Sequence, residues 1–157
     1  LGITASVQPS HAPGAMDFPQ AAMEQVIARR RWPDAYLWKT LANHGAQLAF
    51  ASDWPVADVN PMRSIQAALT RVPYDGATDE RVGLAATLRA YTAGGAWAAH
   101  LEGLTGTLRP GLAADLVLID GDIEAIPAEH LGRTGIALTI SGGRVTHDPA
   151  GLAAARG

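Results

Sequence analysis

Ten residues constrain this chain more than any others: Gln47-Leu48-Ala49-Phe50-Ala51-Ser52-Asp53-Trp54-Pro55-Val56. Leu48 to Ala51 form an apolar run of strand length that stops at a carboxylate, and Pro55 prevents the strand from continuing. Gly45 closes a helix just before the run, and Pro61 opens another after it. Helix, buried strand, carboxylate, helix is one unit of a parallel α/β fold, and such folds carry their reactive groups where the strands end. Asp53 falls at that position. A strand-end Asp also caps following helices in many folds, so the ten residues alone leave both roles open.

The rest of the composition excludes whole classes. At 157 residues the chain can bury one substantial core but not two large ones. A net charge of −3 without a basic stripe argues against nucleic acid as a partner. Arg29-Arg30-Arg31 is the one cationic run, and a solvated helix end explains it better than a binding patch. The absence of cysteine removes disulfides and thiolate metal sites and leaves the redox compartment open. No apolar run approaches the 18 residues of a membrane span. The chain starts at Leu1 and reads as a strand from Ile3 to Gln8, which predicts a piece of a longer polypeptide.

In chain order, the Ile3–Gln8 strand gives way to a loop from Pro9 to Pro19. Helical spacing follows over Phe18–Arg31, and a short helix spans Tyr36–His44 with Gly45 at its end. After the central strand, one helix covers Met62–Arg71 and another starts at Thr78-Asp79-Glu80 and runs to about Tyr91. Gly94-Gly95 interrupts, and Ala96–Leu101 adds a last turn or two. From Gly103 the runs shorten: Asp115–Ile119 and Ile136–Ser141 read as strands, and Gly142-Gly143 marks a two-residue hairpin before Val145. Ala150–Gly157 reads as a frayed tail. The expected boundary lies near residue 101, giving an α/β part over residues 1–101 and a small antiparallel β module over 102–157.

Four segments, in order, carry a resemblance. Ala5-Ser6-Val7-Gln8-Pro9 with His11, Phe50 to Val56 with Asn60-Pro61-Met62 and Ala67 to Arg71, Leu88 to Thr92 with Ala96 and Ala99, and Gly106 to Gly111 with Ala114 to Val117 resemble the C-terminal portion of the amidohydrolase superfamily. The nearest group is its family 3, the YtcJ-like metal-dependent hydrolases. Leu112 departs from the pattern, where a lysine is usual. The resemblance implies an α/β fold comprising the last two strands and helices of a (β/α)8 TIM-type barrel, plus part of an appended antiparallel β-sandwich. It implies a hydrolase of a carbon–nitrogen bond in an amide, N-acyl or cyclic amide substrate, with one or two divalent metals, usually zinc. Asp53 matches the strand-eight aspartate of that family, at once metal ligand and proton shuttle. The other ligands, by the same matching, lie upstream of Leu1, so this chain alone should neither hold zinc firmly nor turn over substrate. The expected partners are a small amide-type substrate and the remainder of the same barrel, with a homodimer allowed and a cytoplasmic setting. The competing reading is a non-catalytic binding or regulatory protein on a decayed hydrolase fold.

Near the strand ends, Gln8, His11 and Trp54 are candidate substrate contacts, with Trp54 as an apolar wall. His11 fits a substrate-facing and an ordinary loop histidine equally. Arg71 could bind a substrate carboxylate, although a helix-end arginine paired with an acid is the plainer expectation. His44 belongs to a helix C-terminus, where a cation meets the dipole. His100, His130 and His147 are expected at the surface.

Overall fold

The computed structural model describes residues 2–15 and 24–154. Two strands, β1 (Thr4–Val7) and β2 (Gln47–Phe50), pair in parallel with Thr4 opposite Gln47 and Val7 opposite Phe50. This register ends both strands at one rim, where the Ala51 N–H donates to the Val7 carbonyl. The crossover between them contains a 3-10 turn at Pro9–His11, a 3-10 helix at Arg29–Asp34, and α1 (Trp38–Asn43). The expected Phe18–Arg31 helix lies partly outside the described residues. Residues 24–26 are helical, but Arg29–Asp34 winds as 3-10 because Pro33 withholds a donor from any continuing α-helix. Arg29 there pairs with Asp75 at the surface, 2.7 Å away, as a solvated cation does.

Glycine ends α1 as its position predicts. Gly45 adopts a φ of +86°, its N–H donates to Ala42, and the Ala46 N–H reaches back to Leu41, a Schellman closure. The His44 ring nitrogen lies 2.8 Å from the Thr40 carbonyl, in keeping with a helix-end role. Beyond β2, α2 (Pro61–Thr70) begins with Pro61 in its first turn and the Asn60 side chain accepting from the Met62 N–H. The next helix departs from expectation: α3 spans Leu84–Tyr91, six residues later than the Thr78-Asp79-Glu80 signal. That signal caps a different helix. The buried Glu80 carboxylate accepts from the Thr40 N–H (2.8 Å) and hydroxyl (2.6 Å) and from the Thr78 hydroxyl (2.9 Å), at the N-terminal turn of α1.

Burial pushes the Glu80 carboxyl up, but the Thr40 and Thr78 hydrogen bonds outweigh it and leave its pKa below the usual value. A folded-state pKa below the unfolded one stabilises above the unfolded value and is lost as pH falls through the folded value. Glu80→Gln therefore turns one acceptor into a donor facing donors, and should lower unfolding stability by about 1–3 kcal/mol. Denaturant titrations across acidic pH should show wild-type stability converging on that of the variant as pH falls.

The last helix, α4 (Ala93–Ala98), contains Gly94 and Gly95 rather than being broken by them. A three-stranded antiparallel sheet follows, ordered β3 (Leu116–Ile119), β4 (Ile136–Ser141) and β5 (Arg144–His147). Gly142 (φ +55°) and Gly143 (φ +76°) form the two-residue hairpin turn, and the Asp115 carboxylate accepts from the Gly142 N–H at 2.7 Å. His100, His130 and His147 are exposed, as the sequence predicts.

One apolar cluster gathers Trp38, Phe50, Ala68, Val82 and Ala90 beneath the parallel strands. A second joins Met62 and Ile65 of α2 to Leu131, on a 3-10 helix at Ala128–Arg133, with Ile119 and Ile136 against it. Gln66 strengthens that junction, its side chain accepting from the Gly132 N–H at 2.8 Å. The segments on either side of residue 101 thus share a core. Leu131 is 1% exposed, so Leu131→Ala should cost about 2–3 kcal/mol in a thermal or denaturant melt. That is the lower part of the range for core leucines, because a single 3-10 turn can settle onto the cavity.

Candidate functional site

Asp53 stands three residues past β2, its side chain about half exposed (54%). Its backbone has a φ of +60°, a left-handed conformation that costs most side chains energy and that Asp tolerates better than most. The helix-capping role falls to other residues. Asp58 accepts from the Asn60 N–H and Asn60 from the Met62 N–H, whereas the Asp53 carboxylate makes no bond to α2. What faces Asp53 comes from the neighbouring strand: the His11 Nε2 lies 3.9 Å from Oδ2. His11 ends the 3-10 turn that Pro9 opens after β1, with its N–H donating to the Gln8 carbonyl. The same turn is tied to α2 by a buried Ser10–Ser64 hydroxyl pair. Parallel pairing thus brings Asp53 and His11 together at one rim, from positions 42 residues apart in the sequence.

Two concavities flank this pair. A cleft of about 330 Å³ is lined by Gln8 and His11 together with Tyr36, Leu37, Trp38 and Leu41. A shallower groove of about 440 Å³ runs along Trp54–Val59, with Trp54 66% exposed on its wall. Gln8 and His11 thus line the first cleft, and Trp54 the wall of the second groove.

Among the described residues, Arg71 makes no ion pair with an acid. It is 2% exposed at the end of α2, with its guanidinium 4.5 Å from the centre of the Trp38 ring and 5.8 Å from that of Tyr36. Its Nη1 donates to the Tyr36 carbonyl at 2.7 Å. Burial lowers the guanidinium pKa, opposed by Glu80 and Asp79, but a guanidinium stays charged throughout the physiological range. Burial also pushes the neighbouring Tyr74 phenol up to about 12, so it remains a neutral donor. Nothing along the chain marks Tyr36 and Tyr74 as members of this cluster. Tyr36 adopts a φ of +58°, which only a three-dimensional constraint enforces on a bulky residue.

A parallel strand pair with a carboxylate and an imidazole at one rim defines an α/β protein whose candidate site lies where such folds carry their reactive groups. The amidohydrolase family model matches residues 1–147, and the chain belongs to that family. It is 40% identical over 123 residues to Protein LONG AFTER FAR-RED 3 of Arabidopsis thaliana, covering 76% of this chain and 21% of that protein. Over 140 residues it is 29% identical to YtcJ of Bacillus subtilis (strain 168), which carries an amidohydrolase name, covering 85% of this chain and 26% of that one. Among solved structures, it is similar to a Pyrococcus furiosus protein described as an uncharacterized metal-dependent hydrolase (28% identity, TM-score 0.57, 72% of this chain and 22% of that one). A Pyrococcus horikoshii OT3 structure of the same description shares the fold at 23% identity, with a TM-score of 0.67 over 83% of this chain and 26% of that one. The chain spans about a fifth to a quarter of the length of these relatives.

Proposed function

We propose that this chain supplies the proton-handling carboxylate, Asp53, of a metal-dependent hydrolase that cleaves a carbon–nitrogen bond in an amide, N-acyl or cyclic amide substrate. The observation that carries this reading is the placement of Asp53: left-handed, half exposed, free of any capping duty and facing His11 at the carboxyl rim of two parallel strands. In this reading residues 1–101 are the last part of a (β/α)8 barrel and residues 102–157 part of an appended β-sandwich. The parallel β1–β2 pair and the antiparallel β3–β4–β5 sheet support that division.

The donors present fit one corner of a metal site. Zinc takes at least three protein ligands, and among the described residues no group of three His, Cys, Asp or Glu side chains converges. Asp53 would hold the ion together with ligands from beyond this chain. When bound, a divalent metal lowers the pKa of a water and polarises the substrate carbonyl. Asp53 then does what a positioned carboxylate can do: it takes the water's proton as the oxygen attacks the carbonyl carbon, and passes it to the departing nitrogen. His11 flanks the carboxylate and limits its rotation, and the cleft beside Gln8 and the Trp54 wall receive the two ends of the substrate. The test is hydrolysis of a panel of N-acyl amino acids, simple amides and cyclic amides by the polypeptide that carries these residues with its remaining ligands. Turnover abolished by a chelator and restored by zinc is expected. A metal-replete protein that hydrolyses none of them would contradict the reading and favour a binding or regulatory role.

A further inference from the structure

The two sides of the Asp53–His11 pair are held in different ways. Asp53 follows a strand fixed by pairing, whereas His11 sits on a three-residue 3-10 turn. Two backbone bonds close that turn, from the His11 N–H to Gln8 and from the Ala12 N–H to Pro9, and 3-10 bonds are poorly aligned. A side chain supplies what the backbone lacks. Ser10, the residue before His11, turns inward to the Ser64 hydroxyl of α2, and neither serine is more than 1% exposed. The other buried residues of α2, Met62, Ile65, Ala67 and Ala68, are apolar. Apolar contacts let a turn slide over a helix, but a buried hydroxyl pair fixes its direction, because any slip leaves both groups desolvated and unbonded. Farther along, the Val72 N–H donates to the Pro13 carbonyl, so the segment stays tied to the end of α2 at a second point. Tyr91 of α3 reaches both sides of the rim. Its ring meets the edge of Phe50, the last residue of β2, with centroids 5.6 Å apart and planes at 76°. Its hydroxyl, buried and without an aligned bond among the described residues, lies close enough to Ser64 for that serine to act on it: burial pushes the phenol up to about 12, and Ser64 opposes the rise.

We propose that Ser64 and Tyr91 are positioning residues: Tyr91 braces the Ser64 hydroxyl against the end of β2, Ser64 holds Ser10, and the imidazole of His11 is thereby set against Asp53. The proposal rests on Asp53 and His11 forming the site and not on the reaction given to it. The test uses the complete polypeptide that carries this sequence, grown on histidine labelled at ¹³Cε1 and held at one pH of about 8, above the ordinary imidazole range. The His11 ring signal, identified by its absence from His11→Gln, should be single and narrow. In Ser64→Ala and in Tyr91→Phe it should broaden or split as the ring samples several orientations. Leu131→Ala is the control, because it loosens the packing of the same helix and leaves every hydroxyl in place; its His11 signal should match the wild type. An unchanged signal in folded Ser64→Ala or Tyr91→Phe would overturn the proposal, as would equal disturbance by Leu131→Ala. Should Ser64→Ala fail to fold, Ser10→Ala and Tyr91→Phe decide by the same signal. On the hydrolase reading, Ser64→Ala should also lower kcat roughly tenfold, inside the 10²-fold that a 1 Å misplacement can cost, and should lower it no further in a His11→Ala background. Equal losses in both backgrounds would count against positioning through His11. The ring signal needs no turnover, so the expected pattern in a polypeptide that hydrolyses nothing would contradict only the hydrolase reading.

Discussion

Asp53→Asn should lower kcat/KM of the complete hydrolase by roughly 10²- to 10⁴-fold, the range a positioned general acid–base contributes. Asparagine has the same shape but cannot accept the proton at the step where water attacks. The substitution is unusually clean here. A φ of +60° strains most residues, and Asn is among the few that adopt it as readily as Asp. The side chain is half exposed and caps no helix, so the far-UV circular dichroism and melting midpoint should match those of the wild type. Alanine at the same position would mix lost chemistry with backbone strain. Metal content measured on the same samples separates the two roles given to Asp53: metal retained with activity lost identifies the proton step, and metal lost identifies ligation. Full activity in Asp53→Asn would remove the carboxylate from the mechanism.

Gly94→Ala should be the most damaging single-methyl change in the chain. A Cβ at Gly94 would stand 2.1 Å from the Leu48 carbonyl oxygen, and 3.3 Å from the Arg89 carbonyl oxygen. The first contact is with the backbone of β2, where no flexible side chain can swing aside. Relief requires moving α4 away from the strand that leads to Asp53. Overpacking of well-filled interiors costs about 1–3 kcal/mol, and a backbone collision belongs at or above the top of that range. Gly95→Ala is the control. Its Cβ meets nothing closer than 4.0 Å, and alanine is the better helix former by about 1 kcal/mol, so that variant should be neutral or more stable. Thermal melts of the pair measure the effect. Equal midpoints would mean that α4 is not seated on β2 as described.

These glycines show where the sequence could and could not be read. Gly94-Gly95 looks like a helix breaker because the sequence displays glycine's flexibility and not its small size. Close approach to Leu48, 46 residues away, is invisible along the chain. The Thr78-Asp79-Glu80 capping signal was real, but Glu80 delivers its carboxylate to Thr40 on another helix. Local pattern gives the chemistry of a cap and leaves its recipient open. Features closed within a few residues were legible: the β1 and β2 strands, the Gly45 closure, the Pro61 helix start and the Gly142-Gly143 hairpin.

The same distinction runs through the site. Asp53 was legible because a short apolar strand followed by a carboxylate and a proline is a local pattern. That His11 comes within 3.9 Å of it depends on the parallel register of β1 and β2, which no single segment encodes. The surroundings of Arg71 were illegible for a related reason. Helix-end arginines usually reach an exposed acid, whereas this one is sealed under Trp38 and Tyr36 by the crossover segment.

The most direct test of the central claim is the intact mass of the native polypeptide that carries this sequence, determined together with its metal content. The account predicts a species well above 16.3 kDa that retains a divalent metal, with the Asp53 corner completed by ligands from the rest of the barrel. A cooperatively folded, metal-free species of 16.3 kDa would contradict it, leaving Asp53 and His11 as part of a binding surface rather than a hydrolytic centre.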